Sequence, residues 1–365
     1  MLKLLFGLRE HISFFNIFQY LTFRAVYAAI TALLISFLFG PWVIARLRAI
    51  KTSWAAREDT PKTHQAKAGT PTMGGVLIIL SFVVSVLLWQ DLSNVFTWLL
   101  LFAAVGFGAI GFADDILKMS TRKGKDGTVI RRGISAGVKF GGQIAISAAI
   151  VIVLYMQRGE STTLLYLPFL KRAVLDFSWL YVPFAVILMV GYSNAVNLTD
   201  GLDGLATGLV IMVGLALAVL AYVTGRADFA SYLQIPFIKG GGEIAVFCLA
   251  VTGASVGFLW FNAHPAEVWM GDTGALSLGG VMGVVALMLK KEILILILGG
   301  VFVLETASVA LQVISFKLTG RRIFKMAPLH HHFELSGWPE SKVVVRLWIL
   351  GGLFALLGLS TLKIQ

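Results

Sequence analysis

The sequence predicts an all-α, polytopic integral membrane protein with about ten transmembrane helices. Hydrophobic residues make up 58% of its 365 residues and charged residues only 13%, whereas soluble proteins carry about 25% charged residues. Mean hydropathy is +0.85. Several apolar runs approach or exceed the roughly 20 residues that cross a bilayer as a helix. We therefore expect one transmembrane domain over residues 1–365.

Polar stretches separate the apolar runs and set the order of the expected spans. Arg24, near the start of the first run, is expected to reach the membrane interface. Residues 157–175 favour a small hairpin, and Lys290-Lys291-Glu292 is expected to form a tight turn. The expected spans are about 18–44, 73–90, 95–113, 134–156, 176–195, 205–223, 243–261, 273–289, 293–316 and 342–361.

Ten spans put both termini on one side and divide the loops into two groups. One group carries more lysine and arginine, so the positive-inside rule assigns it to the cytoplasm and both termini to the periplasm. Every polar cluster that could carry chemistry lies in this group, which favours an enzyme at the inner face over a transporter or pore. The cytoplasmic group is 45–72, 114–133, 196–204, 262–272 and 317–341.

The net charge of +11 could suggest nucleic acid as a partner. Membrane topology and anionic membrane lipid account for the same excess of basic residues, so we expect no nucleic-acid ligand. The one cysteine, Cys248, lies inside an apolar run and has no second cysteine to pair with.

Two polar clusters flank the second and third spans. Residues 67–75 (KAGTPTMGG) offer Lys67, Thr72 and backbone amides for phosphate oxygens, or form a flexible entry to a helix. Asp114 and Asp115 end the third span. They either bind Mg²⁺ or supply a base, or they mark the water boundary. On a helix their side chains point about 100° apart, so one can face a site and the other a partner.

The stretch 194–206 (NAVNLTDGLDGLA) has more polar groups than a turn between two spans requires. Asn197 supplies an amide, and Asp200 and Asp203 share a face if the segment is helical. A helix N-cap explains Asp203 but not the whole set. We interpret the stretch as part of a binding site.

Two further clusters complete the cytoplasmic set. Asn262 and Asp272 belong to a short loop, and Asp272 is either a helix N-cap or a metal ligand beside a helix N-terminus. His330, His331 and His332 follow one another, a poor geometry for chelating one ion. With basic residues nearby, contact with a phosphate or a sugar fits them better than a solvated basic loop.

Together the clusters combine acidic groups for a hard cation with basic and amide groups for phosphates. Mg²⁺ prefers oxygen ligands and is commonly shared with substrate phosphates. The sequence therefore predicts phosphoryl or nucleotidyl-type transfer at the membrane surface.

The same motifs resemble those of the polyprenyl-phosphate N-acetylhexosamine-1-phosphate transferases. The shared motifs are AspAsp at 114–115, NLTDGLDGL at 197–205, GlyAsp at 271–272 and the His-His-His loop. Within that superfamily, GTPTMGG at 69–75 and MAPLHHHFE at 326–334 resemble the bacterial phospho-N-acetylmuramoyl-pentapeptide transferases, the translocase I family. The likeness runs from about residue 16 to the C-terminus, without departures at the motif positions.

The resemblance implies a reaction between UDP-N-acetylmuramoyl-pentapeptide and undecaprenyl phosphate. The products would be lipid I and UMP, in the first membrane step of peptidoglycan synthesis, on which cell shape and cell division depend. It also implies Mg²⁺, a site on the cytoplasmic face of the bacterial inner membrane, and a possible homodimer. It leaves open direct attack or a covalent phospho-aspartyl intermediate.

The resemblance also implies residue roles. Asp272 would be the Mg²⁺ ligand, with Asp114 and Asp115 at the lipid-phosphate end and Asp114 the favoured base. The uridine and diphosphate would be bound by Asn197, Asp200, Asp203 and Asn262. Lys67 and Thr72 would hold that neighbourhood together, and His330, His331 and His332 would contact the sugar-phosphate part. A buried carboxylate in the ninth span, Glu305, has no assigned role.

Three alternatives stay open at this level. A superfamily member could use UDP-N-acetylglucosamine, although residues 326–334 argue against it. A transporter or flippase would need polar groups on the outer side. A lipid-binding scaffold would not need Asp272.

Overall fold

A computed structural model describes residues 1–10, 12–50, 69–119, 121–123, 129–131, 133–158, 162–170 and 173–363. Within those ranges, nine helices are long and apolar enough to cross a bilayer, and the shorter apolar helix Gly75–Trp89 is a tenth candidate. The predicted all-α, polytopic fold class is confirmed. Which end of the bundle faces the cytoplasm stays a prediction from the charge distribution.

The helices are α1 (Leu21–Ala49), α2 (Gly75–Trp89), α3 (Val95–Met119), α4 (Ala136–Arg158), α5 (Tyr181–Thr199), α6 (Leu205–Thr224), α7 (Ala227–Leu233), α8 (Gly242–Asn262), α9 (Gly271–Met288), α10 (Leu294–Leu298), α11 (Gly300–Thr319), α12 (Leu329–Glu334) and α13 (Glu340–Ser360). Two antiparallel hairpins join strands β1 (Thr121–Lys123) with β2 (Val129–Arg131), and β3 (Leu164–Tyr166) with β4 (Ala173–Asp176). The second hairpin confirms the one predicted within 157–175.

Helix α9 forms the centre of the bundle and packs against α3 and α5. It is buried along nearly its whole length. Glycines allow the close approach: a Cβ at Gly279 would meet the backbone of Ser193, and one at Gly280 would meet the Phe107 ring. Small residues at helix contacts let membrane helices pack closely without a hydrophobic driving force. The first turn of α9 is thereby fixed beside α3, where Asp114 and Asp115 lie.

At the opposite end of the bundle, one sequence expectation needs correction and another is confirmed. Arg24 does not reach the interface: it is only 3% exposed, and its guanidinium forms a bidentate pair with Glu243 at 2.6 and 2.8 Å. The Lys290–Glu292 segment forms the expected turn between α9 and α10, and its side chains are buried. Lys290 Nζ donates to Glu292 at 2.7 Å and to the Tyr181 hydroxyl at 3.2 Å. Burial of a charge is tolerated only with such partners.

Candidate active site

Asp114 and Asp115 lie near the C-terminal end of α3, which continues to Met119 beyond the boundary expected at 113. Both side chains are buried, and they point to different neighbours. Asp114 Oδ1 accepts the backbone N–H of Ile134 at 2.7 Å, whereas Asp115 accepts hydrogen bonds from the start of α9. The divergence expected of adjacent residues on a helix is therefore confirmed.

Asp115 caps α9 from the neighbouring helix. Its Oδ1 accepts the N–H of Asp272 at 3.2 Å, and its Oδ2 accepts the N–H and the hydroxyl of Thr273 at 2.9 and 2.7 Å. The first N–H groups of a helix have no partner within it, and a carboxylate stabilises them. Asp272 is thus not the cap of its own helix, the alternative that the sequence left open.

Asp272 instead forms ion pairs with the same two lysines as Asp114. Lys118 Nζ lies 2.8 Å from Asp114 Oδ2 and 2.9 Å from Asp272 Oδ2. Lys139 Nζ lies 3.3 and 2.6 Å from the same two oxygens. The amide of Asn197 donates to the other oxygen of Asp272 at 3.0 Å. Asp114 Oδ2 on α3 and Asp272 Oδ2 on α9 therefore contact the same two positively charged groups.

The turn 200–204, between α5 and α6, places two carboxylates beside this cluster. Asp200 ends α5 and accepts the N–H of Gly271. Burial, followed by the negative charges of Asp272 and Asp115, raises the pKa of Asp200 to about 7. Since the turn is not helical, the expectation that Asp200 and Asp203 share a helix face does not apply.

Asp203 joins this turn to the loop before α9. Its Oδ1 accepts the indole N–H of Trp269 at 3.0 Å, and its Oδ2 accepts the N–H of Ala266 at 3.1 Å. The residue preceding α6 is Gly204, with φ of 75°, so Asp203 is not the N-cap. The carboxylate thus fixes the relative position of two loops at the site.

The segment that precedes α2 is hydrogen-bonded to the same loop. The N–H groups of Gly74 and Gly75 donate to Trp269 and Met270 carbonyls, each at 2.8 Å. A Cβ at Gly271 would lie 2.9 Å from the Thr72 hydroxyl, which places Thr72 beside the start of α9. Lys67 lies outside the described residues.

Asn262 uses its amide within the protein. Its Nδ2 donates to the Val268 carbonyl at 3.0 Å, and its Oδ1 accepts the Thr207 hydroxyl at 2.7 Å. Asn262 is 2% exposed, and its hydrogen bond to Val268 holds the loop between α8 and α9 from the interior of the protein. In this conformation Asn262 shapes the site and does not line it.

The three histidines lie on α12, where successive side chains point in different directions. His330 is buried against Glu305 of α11. His331 Nδ1 lies 3.0 Å from a Glu334 oxygen, and His332 Nδ1 accepts the N–H of Lys325 at 3.2 Å. Each histidine therefore has its own partner, in agreement with the argument against one shared ion. His330 adjoins the turn 200–204, since a Cβ at Gly201 would collide with its ring.

Comparison with known proteins covers nearly the whole chain. The glycosyl transferase family 4 profile matches residues 97–290, and signature 1 of the phospho-N-acetylmuramoyl-pentapeptide-transferases matches residues 67–79. The chain is 50% identical over 363 residues to the phospho-N-acetylmuramoyl-pentapeptide-transferase of Syntrophus aciditrophicus, and to that of Desulfosudis oleivorans, with 99% of each chain covered. It is 50% identical over 364 residues to that of Nitratidesulfovibrio vulgaris, covering 100% of this chain and 99% of the relative.

The chain belongs to the phospho-N-acetylmuramoyl-pentapeptide transferase family. The resemblance seen in the motifs is confirmed over the full length. Most site residues fall within the two matched segments, whereas His330, His331 and His332 lie beyond residue 290. For a transferase of this family, the convergence of Asp114, Asp272, Asn197 and the turn 200–204 defines the candidate active site.

Two groups of this transferase could hold a cation. Asp203, His264 and Glu340 offer ligand atoms within 4.8 Å of one another. That set includes a nitrogen donor, and Asp203 already accepts two N–H groups. The Asp114 and Asp272 oxygens suit a hard cation better, because their partners are exchangeable ammonium groups.

Sequence reasoning missed Lys118 and Lys139 as site residues. Lys118 follows Asp114 by one helical turn, a spacing that predicts an ion pair. Lys139 lies just inside the apolar helix α4, where a charge needs a partner. These signals identify paired lysines, but only the packing of α3, α4 and α9 shows that both meet Asp272.

Proposed function

We propose that this protein transfers phospho-N-acetylmuramoyl-pentapeptide from UDP-N-acetylmuramoyl-pentapeptide to undecaprenyl phosphate, giving lipid I and UMP. The main support for this reaction is the cluster in which Asp114 and Asp272 share Lys118 and Lys139. It unites carboxylates for a cation and a base with ammonium groups for phosphates. Full-length identity with phospho-N-acetylmuramoyl-pentapeptide-transferases supports this donor over UDP-N-acetylglucosamine.

We further propose Mg²⁺ as the cation, held by Asp272 with Asp114 beside it. The all-oxygen donor set fits Mg²⁺, and the ion would neutralise the diphosphate as UMP leaves. With Asp272 committed to the ion, Lys118 and Lys139 become available for phosphate oxygens. Asp114, oriented by the Ile134 N–H, is the proposed base toward the lipid phosphate. Asp115 would act indirectly, because its hydrogen bonds with the N–H groups of Asp272 and Thr273 position the first turn of α9.

The donor would occupy the side formed by Asn197 and the turn 200–204. Asp200 and Asp203, together with the loop closed by Asn262, would shape the uridine and diphosphate region. Lys67 and Thr72 would border it, and His330, His331 and His332 would face the sugar-phosphate part. These assignments rest on proximity to Asp272 and on the family motifs.

An assay of purified enzyme with both UDP-sugar donors tests the reaction. UMP release and lipid I formation should require the muramoyl-pentapeptide donor, and Asp272→Asn should lower the rate at least about a hundredfold. Glu267→Gln, an exposed carboxylate at the same end, is the matched control and should retain activity. Substantial turnover by folded Asp272→Asn would contradict the ligand assignment.

Ion binding can be measured apart from activity. Mn²⁺ in place of Mg²⁺ should give a bound electron-spin-resonance signal that weakens in Asp272→Asn and persists in Glu267→Gln. Loss of signal in Glu340→Gln alone would instead point to the Asp203, His264 and Glu340 group.

We propose a bacterial inner-membrane location with the active site on the cytoplasmic face. The basic loops at the site end support this orientation. Cys248 is buried, so single-cysteine labelling is practicable. Glu267→Cys at the site end should react with an impermeant thiol reagent only after cell lysis, whereas Asp228→Cys at the other end should react in intact spheroplasts. The reverse pattern would contradict the orientation.

A further inference from the structure

Glu305 lies within α11 and is only 1% exposed. Its Oε2 lies 3.2 Å from His330 Nδ1 and 3.4 Å from the His330 backbone N. The same oxygen thus faces two nitrogen groups of one residue. The backbone N–H can only donate a hydrogen bond, so Oε2 is an acceptor.

An acceptor in this position determines which ring nitrogen of His330 carries the proton. Because Oε2 accepts from the backbone, Nδ1 is its second donor. In the neutral ring, Nε2 then has a free lone pair and is an acceptor. A proton on Nε2 would find no acceptor, since Nε2 has no hydrogen-bond partner among the described residues.

His330 Nε2 is directed at the turn that carries Asp200. A Cβ at Gly201 would collide with Nε2, so only glycine allows the ring to lie there. Nε2 is fully buried without a partner, which costs free energy and is rare in folded proteins. His331 and His332, on the same helix, have Nδ1 partners and are partly exposed. Among the described histidines, only His330 has a ring nitrogen that is both buried and without a partner, and that nitrogen faces the turn 200–204.

We propose that Glu305 is a positioning residue, which holds His330 in the Nδ1–H tautomer so that Nε2 accepts a hydrogen bond from an N–H or O–H group of the nucleotide-sugar donor. The turn 200–204 covers Nε2 in this conformation, so donor binding shifts the turn and exposes the acceptor. This inference rests on the proposed function, because the donor belongs to that reaction.

The tautomer can be measured without turnover. Histidine labelled with ¹⁵N gives different nitrogen shifts for the two neutral tautomers, and His330→Gln assigns the signal among the six histidines. In the wild type at pH 8, His330 should carry its proton on Nδ1. Glu305→Gln should shift the signal toward the mixed or opposite tautomer, because an amide can donate as well as accept. Glu334→Gln, which alters the His331 pair, should leave the His330 signal unchanged.

A double-mutant cycle tests the route through His330. Glu305→Gln should lower kcat/KM for the donor about tenfold, mainly through KM, and should have less than a twofold effect when His330 is already Gln. Equal effects on both backgrounds, or a wild-type His330 protonated on Nε2, would overturn the proposal. The wild-type spectrum decides even if Glu305→Gln does not fold. Failure of the proposed function would appear separately, as absence of lipid I formation by the wild type.

Discussion

The two ends of the helical bundle use the same charged residue types in opposite ways. At the far end, Arg24 and Glu243 form a bidentate pair with side chains 3% and 10% exposed. At the active-site end, the oxygens of Asp114 and Asp272 are shared between two lysines, and Lys118 is 42% exposed. The Arg24–Glu243 pair is buried on both sides, whereas the carboxylates at the active-site end can exchange their cationic partners.

The difference separates charges that hold the fold from charges available for chemistry. The buried bidentate pair is shielded from solvent and joins α1 to α8. A carboxylate pair whose counter-ions are flexible ammonium groups can accept another cation and release the lysines to an anion. Burial of a charge by itself therefore does not mark a catalytic site, whereas shared and partly exposed partners do.

Breaking the Arg24–Glu243 pair should give the largest effect of the changes considered, and this effect should be on stability alone. Glu243→Gln leaves the buried Arg24 without its full charge partner, so the free energy of unfolding should fall by about 3 kcal/mol or more. Unfolding in mixed micelles measures the change. Asp228→Asn breaks the exposed Arg226 pair and should change the free energy of unfolding little. Equal losses in the two variants would remove the distinction between the ends.

At the active-site end, Lys139→Met should lower the rate of UMP release about a hundredfold and leave unfolding almost unchanged. Lys139 is the less exposed of the two shared lysines, so Lys118→Met should have the smaller effect. Lys317→Met, at an exposed position near the end of α11, is the control for a lost positive charge. A large loss of stability in Lys139→Met would assign the lysine to the fold.

The smallest effect is expected for pH dependence at Asp200. Its pKa is about 7 in the folded protein and about 4 in an unfolded chain, so the folded state binds the proton more tightly. The contribution of Asp200 to stability is therefore most favourable below pH 4 and declines as pH rises to about 7. Asp200→Asn should raise the melting temperature by a few degrees at pH 8 and change it less at pH 5. An equal shift at both pH values would contradict the raised pKa.

The positions of the clusters along the chain predicted most of the site. The alternation of apolar runs and polar loops by itself predicts that Asp114, Asn197 and Asp272 lie at the same end of the helical bundle. Helical geometry also predicted the divergence of Asp114 and Asp115. The exchange of capping roles, in which Asp115 caps α9 and Asp272 does not, required the packing of α3 on α9.

The sequence by itself determined the membrane fold, the grouping of polar loops and the family, because hydropathy and contiguous motifs are local properties of the chain. The tertiary structure decided that Lys118 and Lys139 are shared by two carboxylates, that Arg24 is paired and buried, and that Glu305 reaches His330. These contacts join residues up to 219 positions apart, and they depend on which helix faces meet. The periodicity within each helix does not specify its neighbour.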